Sequence, residues 1–122
     1  YLNITTNAPV NKRQKETIER AISKAILLIP KEKEELLMVN FEDCASLSLS
    51  GDFSTPAAMI ELRVHNVVIE MNEAELLEKV MSLATEVVSK VLDICPDRIY
   101  CTMPAVPYWT AAGLEILKGI LK

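Results

Sequence analysis

The sequence predicts an α/β fold in which one β-α-β unit occurs twice, forming a four-stranded mixed sheet with two helices on one face. Three observations predict it. Two helical stripes slide over each other so that "SKAILLIP" (Ser23–Pro30) falls on "SKVLDICP" (Ser89–Pro96). A strand-like segment precedes each stripe, and each stripe is stopped by a proline and followed by another strand-like segment. A strand–helix–strand connection of this length makes a parallel crossover pair.

The elements follow in order. Leu2–Thr6 is short and partly β-branched, and the turn-like "NAPVN" closes it, so it reads as a strand. From Lys12 to Ile29 the apolar residues Ile18, Ala21, Ile22, Ala25, Ile26 and Ile29 keep helical spacing and form one buried stripe. Asn11 suits the cap and Pro30 the stop. After the charged "KEKEE", the segment "LLMVNFED" reads as a second strand. The second half repeats the plan. "AAMIELRVHNVVIEM" (Ala57–Met71) is strand-like throughout, and "NEAE" offers a cap with an acidic first turn. Leu76, Leu77, Val80, Ala84, Val87, Val88 and Val91 then make the second stripe; in the overlay Ile22 meets Val88, Ala25 meets Val91 and Ile26 meets Leu92.

Such a sheet has helices on one side only, and its other face needs a cover. The tail "TAAGLEILKGILK" is the one further helix candidate, but it is short and interrupted by Gly113 and Gly119. Identical subunits are the more economical cover, so the expectation is an oligomer.

Composition bounds the rest. The 122 residues fit a single domain, and a chain that is half hydrophobic and a quarter charged is globular. The longest apolar run, Ala25–Pro30, is far too short to cross a bilayer, and the sequence shows no charged-then-apolar leader, which predicts a soluble protein without a membrane partner. The net charge of −4, with both signs mixed along the helices, argues against nucleic acid. Cys44, Cys95 and Cys101 are odd in number and lack CxxC or metal spacing, and His65 is the only histidine, so neither a disulfide framework nor a metal site is expected. Reduced cysteines fit a cytoplasmic protein. The first letter raises a separate question. Initiator methionine is normally removed only before a small residue, so the expectation is that something stood ahead of Tyr1.

"LNITTNAP", "GDFSTPAA" and "CPDRIYCTM" together resemble the macrophage migration inhibitory factor family of the tautomerase superfamily, over Tyr1 to about Trp109. The resemblance implies a homotrimer with sites at subunit interfaces. It also implies a cofactor-independent isomerase that interconverts keto and enol forms of phenylpyruvate- or dopachrome-like compounds. Members begin with proline, and "PYLNITTNAP" would be a typical start, so a proline ahead of Tyr1 is the expected base. An ordinary α-amine has a pKa of about 7.7–8.0, and an apolar pocket near cations lowers it.

The remaining site residues carry over one at a time. Counting from Pro9, the family's active-site lysine lands on Lys31; counting back from the second strand makes Lys33 the substitute. Either would hold a substrate carboxylate or enolate oxygen. Tyr100, in "PDRIY", falls on the tyrosine that reaches a neighbouring subunit's pocket. Two residues on, Thr102 replaces the usual asparagine, and one hydroxyl does not reproduce an amide's donor and acceptor pair. Tyr1 and His65 fall among the substrate contacts, although a lone histidine is more often structural. Val106 and Trp109, with Tyr108, fall near the pocket wall.

Several departures accompany the resemblance. "AAMI" (Ala57–Ile60) replaces a CxxC, so a thiol oxidoreductase activity is not expected. "VVIEM" is longer than usual, and residues 110–122 form a variant tail, either a helix on a neighbour or a cover over the pocket. The alternative function is a trimeric cytokine-like protein with a receptor, vestigial catalysis and export without a signal peptide. A ferredoxin-like regulatory domain shares the element order but leaves "PDRIY" unexplained.

Overall fold

The structure is a computed structural model that describes residues 1–30 and 37–115. Among these, no helix is long and apolar enough to cross a membrane. Strand β1 (Leu2–Thr6) leads into α1 (Lys12–Ile26). Asn11 caps α1 by accepting from the Gln14 amide at 2.8 Å, and the Gln14 side chain accepts from the Asn11 amide at 2.9 Å. The predicted helix ran to Ile29. Here the last turn tightens instead, with the Leu27, Leu28 and Ile29 amides donating three residues back. Pro30 disfavours the helical conformation of the residue before it, which accounts for the shorter α-helix.

The strands β2 (Val39–Glu42), β3 (Ala58–Leu62) and β5 (Ile99–Thr102) join β1 in one sheet of order β2-β1-β3-β5. β1 runs parallel to β2, β3 parallel to β5, and the two halves meet antiparallel at β1 and β3. The predicted mixed sheet built from two β-α-β units is therefore the observed one. Leu2, Ile4, Ile60 and Leu62 are fully or almost fully buried and join Ile18, Ile22 and Ile26 of α1 in one cluster. Leu77, Val80, Ala84 and Val88 of α3 (Ala74–Leu92) complete that core. Each large aliphatic side chain so buried contributes roughly 1.5–3 kcal/mol.

The opposite face is polar. Asn40, Asn3, Glu61 and Thr102 lie in one row across the four strands, and Glu42, Thr5, Met59 and Tyr100 lie in the next. The Asn40 side-chain amide donates to Asn3 at 2.8 Å, and Asn3 donates to Thr5 at 3.2 Å. Sequence reasoning wanted a cover for this face; its chemistry does not demand one on hydrophobic grounds.

Three local expectations are corrected. The strand-like "VVIEM" opens into helix α2 (Asn66–Met71), following the two-residue strand β4 (Val64–His65). β-branched residues favour strands in isolation, but here His65 Nδ1 accepts from the Val67 amide at 3.1 Å, Val68 is buried, and Asn72 closes the end by donating to the Val68 carbonyl at 2.8 Å. Asn72 in "NEAE" thus ends α2, while Glu73 caps α3 without a side-chain hydrogen bond. Finally, α3 stops ahead of Pro96, at Asp93, whose φ of 53° is left-handed, with Ser89 bonding Ile94 at both its hydroxyl and its carbonyl.

Pro96–Arg98 forms a single 3-10 turn into β5, and β6 (Ala105–Val106) follows. The tail was expected to be a helix or a cover; it opens as a hairpin of β7 (Thr110–Ala111) and β8 (Leu114–Glu115). Ala112 and Gly113, at φ of 54° and 76°, make the two-residue turn whose twist suits a hairpin.

Candidate functional site

The antiparallel pairing of β1 and β3 brings Tyr1 opposite Arg63. The Arg63 amide donates to the Tyr1 carbonyl at 2.8 Å, and the Tyr1 nitrogen donates to the Arg63 carbonyl at 3.2 Å. The guanidinium lies 5.4 Å from the Tyr1 ring centroid, within the range of a cation–π contact. Immediately after Arg63 the chain changes partner: the Val64 amide donates to the Pro104 carbonyl at 3.0 Å, and β4 pairs in parallel with β6, Val64 beside Ala105 and His65 beside Val106. Tyr1, Arg63, His65 and Val106 therefore converge at one end of the sheet.

His65 is buried, and its Nδ1 accepts from the Val67 amide. It caps α2 and at the same time closes the end of β4. The structural role that a lone histidine most often plays is the one observed.

Other sequence-predicted residues lie apart from this convergence. Tyr100 pairs with Met59, which faces Thr5, so it sits two strands and four residues away from Tyr1, about 16 Å by strand spacing and rise. Thr102 pairs with Glu61 one row closer. Both are exposed on the open face. Trp109 is half-buried between β6 and β7, and Tyr108 is exposed. Lys31 and Lys33 lie outside the described residues.

Arg98 closes the turn that leads into β5. It reaches much further: Nε donates to the Pro56 carbonyl at 3.0 Å, and Nη2 donates to the carbonyls of Asp52 and Thr55 at 3.1 and 3.0 Å. Asn7 grips the same loop from the other side. Its side-chain nitrogen lies within hydrogen-bond distance of the Leu47, Phe53 and Thr55 carbonyls, and its oxygen accepts from the Ala57 amide at 2.9 Å. "TTNAP", "GDFSTPAA" and "PDRIY" are thus three parts of one knot, which sets the entry to β5 one residue before Tyr100. The only signal for it in the sequence was the co-occurrence of the three segments.

Asp52 holds the loop from within, accepting from the amides and hydroxyls of both Ser54 and Thr55. The Thr55 hydroxyl, and then the Thr55 and Ser54 amides, hold its carboxyl well below the usual carboxylate range. A depressed folded pKa means a stabilising contribution that is complete above the unfolded value, about 3.9, and is lost as pH falls towards the folded one. Asp52→Asn is therefore expected to flatten the acid limb of a urea-midpoint profile below about pH 5. An unchanged acid limb would contradict this role.

Cys101 lines a groove between α3 and β5 with Met81, Thr85, Ser89 and Pro96. Burial pushes its thiol up to about 11, against a lowering hydrogen bond from Thr85, so it is un-ionised at neutral pH and a poor nucleophile. No cluster of three metal-ligating side chains occurs among the described residues.

No protein-family model and no curated relative matches the chain. Solved structures do. A macrophage migration inhibitory factor homologue from Prochlorococcus marinus superposes with a TM-score of 0.77 at 22% identity, over 93% of this chain and 96% of its own. A fused wild-type 4-OT symmetric trimer gives 0.75 at 16%, covering 95% of each chain. A protein named Pt0534, in a form inactivated by 2-oxo-3-pentynoate, gives 0.80 at 14%, over 97% of this chain and 98% of that one. The duplicated unit and its mixed sheet thus share their fold with the macrophage migration inhibitory factor homologue and the other solved structures named here.

Proposed function

We propose that the chain is a cofactor-independent keto–enol tautomerase for phenylpyruvate-like 2-oxo acids, with a proline ahead of Tyr1 as its base. One observation carries the reading: the start of β1 lies at the bend where β4 leaves for β6. A residue continuing β1 would pair with Val64, beside Val106 and the buried His65. That setting disfavours a charged amine and lowers its pKa towards working pH.

The chemistry then balances without a cofactor. The uncharged nitrogen takes the proton from the carbon next to the carbonyl, the electron pair moves to oxygen as an enolate, and the ammonium returns that proton to the oxygen. Lys31, or Lys33 in its place, supplies a cation for the developing negative charge, and Val106 and Trp109 provide the apolar wall. Tyr100 and Thr102 are too far from Tyr1 to serve their own chain's site, so a neighbouring protomer supplies them. A homotrimer gives that arrangement. The symmetric trimer among the similar structures supports that assembly, and the inactivation of Pt0534 by a compound that carries a 2-oxo carboxylate supports the substrate class.

The test is exchange of the phenylpyruvate C3 protons into deuterated buffer, followed by NMR with the chain that begins Pro-Tyr. Exchange well above the buffer rate is expected. Exchange no faster than buffer would leave the second reading, a trimeric cytokine-like ligand for a protein receptor, which Thr102 in place of an amide favours.

A further inference from the structure

We infer that Arg63 is the residue by which this site selects anionic substrates, a conclusion that rests on the tautomerase reading for its substrate. Its place follows from the backbone. β3 ends at Leu62 and the chain swaps partners at Val64, so Arg63 stands at the switch with its amide and carbonyl both spent on Tyr1. Its side chain has the same strand parity as Met59 and Glu61, which puts it on the open face with Tyr1.

The guanidinium is held there in a form suited to capture a ligand. The guanidinium carbon lies 5.4 Å from the Tyr1 ring centroid, a cation–π contact that holds it beside the chain start. Among the described residues its one side-chain hydrogen bond goes from Nη2 to Glu61 at 3.3 Å. Among the described residues, four of its five donors are unclaimed. With the Arg63 side chain 48% exposed, the Glu61 pair is of the weak surface kind, which a bidentate carboxylate displaces. Glu61 has the opposite effect, because its charge repels an incoming anion. The two residues thus set anion preference in opposite directions, at the chain start where the proposed base would act.

The experiment compares phenylpyruvate with its methyl ester, using the ratio of the two kcat/KM values in the Pro-Tyr chain. Arg63→Gln should lower the anion-to-ester ratio about tenfold, Arg63→Lys should restore part of it, and Glu61→Gln should raise it. A ratio unmoved by all three, in protein that turns over, overturns the assignment. Absence of turnover in the unsubstituted chain is the failure of the tautomerase reading, and a second measurement then decides Arg63 by itself. In an NMR titration, a shift of the Arg63 Nε signal by phenylpyruvate and not by the ester supports the inference. Equal shifts, or none, sink it.

Discussion

A chain with one extra residue in front of its proline is expected to lose phenylpyruvate enolisation by about two to four orders of magnitude, the typical worth of a positioned acid–base group. Acylation turns the secondary amine into an amide whose lone pair is delocalised into the carbonyl, so it no longer takes a proton. The fold should survive unchanged. Tyr1 keeps its two backbone bonds to Arg63, and the core beneath β1 does not involve the terminus. Replacing the proline by alanine keeps a basic nitrogen in the same setting but loses the ring that fixes its position, so the loss should be smaller than in the extended chain. Proton exchange by NMR measures all three chains, with circular dichroism confirming the fold. Equal rates in the extended and parent chains would remove the amine from the mechanism.

The second large effect is on stability. Asn7→Ala is expected to cost about 2–3 kcal/mol, from the neutral hydrogen bonds it makes to the "GDFSTPAA" loop, each worth roughly 0.5–1.5 kcal/mol. In a chain of this size that lowers the melting temperature by on the order of 10 °C. Asn7→Asp is the sharper test, because it preserves shape and replaces a donor with a carboxylate that faces the Leu47, Phe53 and Thr55 carbonyls. It should destabilise more than alanine at neutral pH and recover as pH falls and the carboxyl protonates. Chemical denaturation at two pH values distinguishes the cases. If aspartate proves the milder change, the side chain is packing rather than bonding.

Local rules suffice where burial follows spacing along the chain. The stripes at Ile18–Ile26 and Leu77–Val88 were legible because helical spacing reports burial directly, and their overlay revealed the duplication. Strand β1 and the strand after "PDR" were equally plain. Helix α2 was misread because Val67, Val68 and Ile69 favour strands by themselves, while a cap from His65 and the burial of Val68 decided otherwise. Residues 110–115 open the tail as a hairpin rather than a helix, because Ala112 and Gly113 take the left-handed conformations of its two-residue turn.

The sequence by itself determined the two β-α-β units, the faces they bury, and the three segments that carry the family resemblance, because each depends on spacing along a few neighbouring residues. Tertiary structure alone decided that Asn7 and Arg98 tie those segments together, that His65 is a cap, and that Arg63 meets Tyr1 while Tyr100 stands far from it. Those are contacts between residues tens of positions apart, and only the register of β1 against β3 and β5 fixes them.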